Sequence, residues 1–355
     1  MMPGDGYAVD LLTRMLDIPS LCGKEDAVAA LLVETMTALG FDACRDGAGN
    51  VVGTLHPADT TAPAGEVVML GHMDTVPGWI RVEKRDGALY GRGAVDAKGP
   101  LATAIVAAAR AASRSSADLT VIGAVQEEGP SIGARFLTHR HAPDYLVIAE
   151  PSGWDAVVLG YKGSMRFTAD IAVRGGHSAG PLPSACEVAV TFWNDLVAWC
   201  AEQDDGARHD VIFSQLTPSL LAMSSANDGI EDVASLHIGL RLPPGLDPSA
   251  LQPDIEALLP SGAFCFSFGD PAVRSDKRNP LVAAFLRSIR FEEGNPRFKV
   301  KTGTSDMNVV GPVWGCPMVA YGPGDSSLDH TPGEHVAIDE YLRGIRVLTH
   351  VLEDL

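Results

Sequence analysis

The stretch Val67-Val68-Met69-Leu70-Gly71-His72-Met73-Asp74 decides the fold class. Its apolar run gives way abruptly to a histidine and, two positions on, an aspartate. That is the form of a buried strand delivering polar side chains to a sheet edge. The form returns at Leu119–Val125 before Glu127-Glu128, and at Tyr145–Ala149 before Glu150. Between the first two runs lies Pro100–Ala112, apolar and alanine-rich, with Pro100 suited to a first helical turn. Apolar runs alternating with helical patterns predict an α/β sheet covered by helices. Three strands that end in candidate ligands predict a binding site along one edge of that sheet.

From about Ser164 the pattern changes. Met165–Val173 alternates like a strand, Ser184–Cys200 has helical spacing, and Ser235–Leu242 reads as a strand closed by Pro243-Pro244. Asp247–Leu259 follows as a helix with Asp247 as its N-cap and Pro248 at its first position, before the apolar strand Ala263–Phe268. The order strand, helix, strand, helix, strand predicts an α+β domain at 164–270, inserted between two parts of the first domain at 1–163 and 271–355.

The 355 residues suit one large domain and one smaller one, and 46% hydrophobic with 20% charged residues is an ordinary globular composition. No apolar run approaches the roughly 18–20 residues of a membrane span, and Met1–Gly6 has neither a basic nor an apolar leader region, so a cytosolic location is expected. The six cysteines, at 22, 44, 186, 200, 265 and 316, form no C-x-x-C pair. They are expected as buried or semi-buried free thiols rather than a zinc ribbon or a disulfide framework. The net charge of −18 disfavours nucleic acid as a partner. One stretch opposes that charge: residues 271–301 hold eight basic residues against three acids, a local balance of +5. It marks either a landing place for an acidic ligand or a segment neutralised by salt bridges.

The acids and histidines come in ordered motifs. After His72-Met73-Asp74 follow Asp96 in Gly91-Arg92-Gly93-Ala94-Val95-Asp96-Ala97-Lys98-Gly99, then Glu127-Glu128, then Glu150-Pro151, and His330 in Leu328-Asp329-His330-Thr331-Pro332. Imidazole nitrogen and carboxylate oxygen are donors that zinc accepts, and a bridging carboxylate lets two ions share one pocket. Of His72 and Asp74, one can bind a metal while the other orients it. Glu127-Glu128 is read as strand-end residues pointing to different sides, one a ligand and the other a general base. Singly the motifs have bland readings too. Asp96 can cap the following helix, Glu127-Glu128 can be a solvated pair, and Glu150 can cap a strand edge. His177, in Gly175-Gly176-His177-Ser178-Ala179-Gly180, is either a turn histidine or a donor to a transition-state oxyanion. Together the motifs favour a two-metal hydrolase.

The joint pattern resembles the zinc-dependent aminoacylase and carboxypeptidase family that includes ArgE, DapE and glutamate carboxypeptidase. The resemblance runs along nearly the whole chain, from Pro19–Glu25 to the His330 loop. It implies that 1–163 and 271–355 form a zinc-peptidase-like catalytic domain, a mixed sheet flanked by helices, holding two zinc ions per subunit, or cobalt in their place. The implied ligands are His72, a bridging Asp96, Glu128, Glu150 and His330, with Asp74 orienting a histidine and Glu127 as general base. It further implies that the insert is a lid through which the protein forms a homodimer, with His177 serving the partner's site. Arg241, in Gly239-Leu240-Arg241-Leu242-Pro243, resembles a lid arginine for a substrate carboxylate, and Ser305 and Asp306 are candidates for the basic side chain of the product.

Within the family, Gly91–Leu101, Glu128–Phe136, Arg278–Val282, Lys301–Asn308 and Gly322–Pro332 resemble the LysK-type hydrolases. The expected activity is thus release of lysine or ornithine from the γ-glutamyl end of an acidic amino-group carrier protein, or deacylation of N-acetyl-lysine or N-acetyl-ornithine, in lysine or arginine biosynthesis. The alternatives are an ArgE- or DapE-type deacylase of small N-acyl amino acids and a dipeptidase or carboxypeptidase of the same fold. A non-catalytic binding protein on this fold would have lost ligands, and the set here is intact. Two points depart from the pattern: Cys22 stands where many relatives have serine, and the charge of −18 suits an acidic carrier poorly.

Overall fold

The three apolar runs form the strands Glu66–His72, Asp118–Ala124 and Tyr145–Ile148, parallel neighbours with Glu66–His72 in the middle. Nearly every residue in them is buried, which is why they read as continuous rather than alternating. The register pairs His72 with Ala124 and Leu70 with Ile148, so the strands end level with one another. Beyond Asp118–Ala124 the sheet continues through antiparallel Val51–Leu55 and Asp42–Arg45. On the other side come parallel Met318–Ala320 and antiparallel Ala156–Tyr161.

The computed structural model describes residues 2–57, 65–177, 179–203, 212–267 and 269–355. The chain divides into two units. One comprises Met1–Gly160, Ser275–Val300 and Ser305–Leu355; the other comprises Tyr161–Arg274 with Lys301–Thr304.

In the first unit the helix Lys98–Ala111 lies against the sheet, and Leu101, Ala102, Ala104, Ile105, Val106, Ala107 and Ala108 are all buried. The helix comes close to the sheet at Gly71, where a Cβ would lie 3.4 Å from that of Leu101 and 2.9 Å from that of Ala149. The helices Asp5–Leu16 and Ile338–Asp354 pack on it. Ile338–Asp354 contributes the helically spaced stripe Tyr341, Ile345, Leu348 and Leu352. A small antiparallel sheet of Glu83–Arg85, Ala88–Tyr90 and His335–Ala337 joins two loops distant in sequence.

The second unit is an antiparallel sheet in the order Thr217–Asn227, Glu231–Leu242, Gly163–Arg174, Ala263–Phe266. Met165, Phe167, Ala169, Ile171, Leu236, Ile238 and Leu240 bury one face against Phe192 and Leu196 of the helix Ala185–Glu202. That helix starts at a capping box in which the Ser184 hydroxyl accepts the Glu187 N–H and the Glu187 carboxylate accepts that of Ser184. Asp247 caps a short 3-10 turn, Pro248–Leu251, that continues as the helix Gln252–Ala257.

Three details differ from the sequence-based expectation. Thr217–Asn227 is a strand that the expectation lacks; it lies at the sheet edge, exposed along almost its whole length, and so carries no alternation. The four residues 301–304 group with the second unit, because the Lys301 carbonyl accepts the Lys162 N–H at 3.0 Å and the Thr304 hydroxyl accepts a bond from Arg241. All six cysteines are free, but Cys22, Cys44 and Cys265 are exposed rather than buried or semi-buried. Cys44 and Cys265 sit on the outermost strands Asp42–Arg45 and Ala263–Phe266, where a side chain has cover on one flank only. Phe268, the last residue of the expected strand, lies outside the described residues.

Candidate functional site

The sheet edge of the first unit gathers His72, Asp74, Glu127, Glu128 and Glu150 from three neighbouring strand ends, and two loops bring Asp96 and His330 to them. The His72 Nδ1–H donates to the Asp74 carbonyl at 2.9 Å, with the Asp74 carboxylate at 3.5 Å. This turns Nε2 toward Asp96 Oδ1 at 3.1 Å and Glu150 Oε1 at 3.5 Å. The other Asp96 oxygen, Oδ2, lies 3.0 Å from His330 Nε2, which is itself 3.1 Å from Glu128 Oε1. Asp96 therefore stands between two imidazoles, one oxygen toward each. Ligand atoms of His72, Asp96 and Glu128 all fall within 4.8 Å of one another. Two imidazoles and three carboxylates converging this closely are a donor set that fits a divalent ion of the zinc type.

The backbone around these groups is fixed by further side chains. The Asp74 carboxylate accepts the Glu127 N–H on one oxygen and the Glu128 N–H on the other, each at 3.0 Å. The two glutamates are not on a strand as expected. The strand stops at Ala124, Gln126 takes a left-handed φ of 61°, and both glutamates sit in the turn that follows. That turn is secured by Asn50, whose side-chain carbonyl accepts the Val125 N–H, and by Glu25, whose carboxylate accepts that of Gln126. In the Asp96 loop, Gly93 has φ 91°, and a Cβ there would meet Thr75 at 3.0 Å and Lys98 at 3.1 Å. The Asp96–Ala97 peptide bond is cis.

Sequence reasoning did not find Asn50, Glu25, Arg92 or Glu334 as parts of the site. Glu334 is fully buried behind the Asp96 loop. A single acid in a turn-rich segment carries no signal that separates it from a solvated one.

The crowding of charge shifts ionisation. Burial pushes the Glu127 carboxyl well above its ordinary value, with Asp306, Glu150 and Asp96 adding to the rise against His72. Burial and Asp96 raise Glu128 as well. Burial opposes a charged His72, but its bonds to Asp74 and Asp96 outweigh that and raise it. Asp96 holds His330 up at about 9. Asp96 itself is lowered, because its bonds to both histidines overcome its own burial. A raised carboxyl beside metal-binding donors is the property of a general base.

Asp306 lies near enough to Glu127 to act on its ionisation, and it begins the helix Met307–Trp314. Ser305 is tied into the same helix start, its hydroxyl accepting the Met307 N–H and its own N–H donating to Asn308. Arg241 and His177 belong to the second unit. Arg241 is half-buried on the strand Glu231–Leu242 and donates to the Thr304 hydroxyl at 3.2 Å. His177 is exposed beyond Gly163–Arg174, and its Nδ1 accepts the Ala179 N–H at 3.1 Å; Ser178 lies outside the described residues. In the basic stretch 271–301, Arg287 pairs with Asp354, Arg297 with Asp155, and Lys299 donates to the Ser152 carbonyl. Two of its eight basic residues are thus paired with acids of other segments, while its own Glu292 pairs with Arg346.

Residues 68–354 match the family described as Peptidase family M20/M25/M40. A LysW-lysine hydrolase of Deinococcus radiodurans is 44% identical over 99% of this chain and 98% of its own. A putative LysW-lysine/LysW-ornithine hydrolase of Thermococcus kodakarensis is 38% identical over 98% of this chain and 92% of its own. Among solved structures, the M20 family metallo-carboxypeptidase Sso-CP2 from Sulfolobus solfataricus superposes with a TM-score of 0.80 at 18% identity, covering 98% of each chain. Human carnosine dipeptidase 1 superposes with a TM-score of 0.76 at 17% identity over 99% of this chain and 97% of its own.

Proposed function

We propose, from the premise that the chain belongs to Peptidase family M20/M25/M40, that it is a two-metal amide hydrolase releasing lysine or ornithine from the γ-glutamyl end of an amino-group carrier protein. The observation that carries the chemistry is Asp96, whose two oxygens face His72 and His330 at 3.1 and 3.0 Å. That arrangement suits one cation held by His72, Glu150 and Asp96, and a second held by His330, Glu128 and the same Asp96. Zinc fits the nitrogen and oxygen donors, and cobalt accepts the same set. Bound there, the ions supply the Lewis acidity that acidifies water and polarises an amide carbonyl.

The chain's own residues move and hold the protons. Glu127, kept basic by burial, takes a proton from the attacking water. As the carbon–nitrogen bond breaks, Glu127 returns that proton to the leaving amine nitrogen, so one carboxylate serves both halves of the reaction. Asp74 keeps Glu127 and Glu128 in fixed relation through their N–H groups. His177 is the proposed donor to the oxyanion, and Arg241 the proposed fork for a substrate carboxylate. Asp306, with Ser305, is the proposed contact for the cationic side chain of the product.

The carrier-bound substrate is supported by the names of the full-length relatives from Deinococcus radiodurans and Thermococcus kodakarensis. A homodimer formed through the second unit is part of this proposal, supported by the exposed edge strand Thr217–Asn227. So is a cytoplasmic place in lysine or arginine biosynthesis, with neither nucleic acid nor membrane as partner. Among the described residues no helix is long and apolar enough to cross a membrane.

The test is amine release by purified, zinc- or cobalt-loaded enzyme from the γ-glutamyl-lysine carrier conjugate, N-acetyl-lysine, N-acetyl-ornithine and succinyl-diaminopimelate, each with and without chelator. Chelator-sensitive turnover best on the conjugate is expected. Turnover confined to a small acyl amino acid would reject the carrier and leave the two-metal chemistry standing.

A further inference from the structure

Glu334 is 0% exposed, yet it carries a carboxylate. A buried ionised group is costly unless donors surround it, and here four do. Its Oε1 accepts the N–H groups of Gly93 at 3.0 Å, Val95 at 2.9 Å and Asp96 at 3.1 Å. Its Oε2 accepts Arg92 Nη1 at 2.7 Å. Three backbone N–H groups converging on one oxygen form an anion cradle, and the chain fills it with its own side chain.

The placement follows from the small sheet. His335 pairs with Tyr90, so Glu334 and Gly91 are the next residues along the two strands, and the Gly91 N–H donates to the Glu334 carbonyl. The His335 and Tyr90 rings stack with centroids 4.5 Å apart, which reinforces that register. Arg92 extends the tie, donating through Nη1 to the Thr331 carbonyl at 3.2 Å and through Nε to the Gly78 carbonyl at 3.0 Å. Four residues upstream of Glu334 in the same loop is His330, and one of the cradle's N–H groups belongs to Asp96 itself.

We propose that Glu334 is a positioning residue that locks the loop carrying Asp96 to the loop carrying His330, and so sets where the shared carboxylate stands between its two imidazoles. The proposal rests on the reading of His72, Asp96, Glu128, Glu150 and His330 as ligands of two cations. The remaining ligands are anchored otherwise: His72 by its strand and Asp74, Glu150 by the strand end just before it, where the Ala149 N–H donates to the Leu70 carbonyl, and Glu128 by Asp74. Loss of Glu334 therefore falls unequally. The cation that depends on His330 is weakened more than the one that depends on His72.

The experiment titrates chelator-stripped protein with zinc alone by calorimetry, comparing wild type with Glu334→Gln, which preserves shape and removes the charge, and with Glu334→Asp, which preserves charge and shortens the reach. Thermal unfolding of the stripped proteins reports folding separately. Two equivalents in the wild type, both weakened in either folded variant and one of them by about tenfold or more beyond the other, is the expected result. Two wild-type-like equivalents in a folded variant, or two equally weakened ones, would overturn the role of Glu334 and leave the ligand reading intact. A wild type that takes up no zinc would overturn the ligand reading and the proposal together. Should Glu334→Gln not fold, the same outcomes are read from Glu334→Asp.

Discussion

The first unit and the second hold their functional side chains by opposite means. In the first, the groups around Asp96 are fixed through the backbone: Asp74 binds the N–H groups of Glu127 and Glu128, and Glu334 binds those of Gly93, Val95 and Asp96. In the second, Arg241 stands on the polar face of a sheet whose other face is the core, and among the described residues it donates to one hydroxyl, that of Thr304. Backbone anchoring fixes a group to within a few tenths of an ångström, as bond chemistry requires. A long side chain with one neutral partner can adapt to a ligand instead. Substitutions of the groups around Asp96 should therefore act on turnover and metal, and substitution of Arg241 on substrate affinity.

The largest expected effect tests the first half of that division. Glu127→Gln keeps size and hydrogen bonding but cannot take a proton, so kcat should fall by about 10²–10⁴ while metal content measured by atomic absorption stays at the wild-type value. A variant that retained wild-type kcat would remove Glu127 from the reaction. Asp74→Ala comes next. It releases two backbone N–H groups and one neighbour of His72, and should cost about 10- to 100-fold in metal affinity or activity, as losses of supporting groups around metal sites do. Zinc titration of the stripped variant checks it, and an unchanged affinity would mean that the strand ends alone suffice.

The second half is sharpened by Arg241→Ala. A charged hydrogen bond to a carboxylate is worth about 1.5–3 kcal/mol, so KM for a carboxylate-bearing substrate should rise roughly tenfold to a hundredfold with kcat little altered. A fall in kcat at constant KM would break the comparison, since Arg241 would then belong with the reaction rather than with recognition.

Legibility in the sequence divides along the same line. Strand ends are readable because buried parallel strands are continuous apolar runs, and a histidine or acid directly after such a run stands at a sheet edge where packing does not call for it. Loop anchoring is not readable. Nothing in Ala124–Gly129 reveals the left-handed Gln126 that takes Glu127 and Glu128 off the strand, and the burial of Glu334 depends on a pairing of Tyr90 with His335 across more than 240 residues. In the second unit the core strands show their alternation, whereas Thr217–Asn227, solvated on both faces, has no pattern to show. The basic balance of 271–301 is legible as a number, but its partners Asp354 and Asp155 lie in other segments.

The smallest expected effect concerns the metal-free protein. His330 is raised to about 9 in the fold, chiefly by its bond to Asp96 and with help from Glu128, against an ordinary value of 6.5. A folded-state pKa above the unfolded one means that the unfolded chain binds fewer protons in that interval, so stability is full below pH 6.5 and declines as pH rises toward 9. His72, also raised, contributes in the same direction, and Lys98 opposes it from about 8 upward because burial has lowered its pKa. The window to read is therefore pH 6.5 to 8. The His330 side chain is 50% exposed, so screening discounts the interaction, and the expected drop in Tm of chelated protein attributable to this residue is only about 1–2 °C. His330→Asn should flatten the slope by that amount. A slope identical in wild type and His330→Asn would mean that the Asp96–His330 bond forms only when metal draws the two loops together.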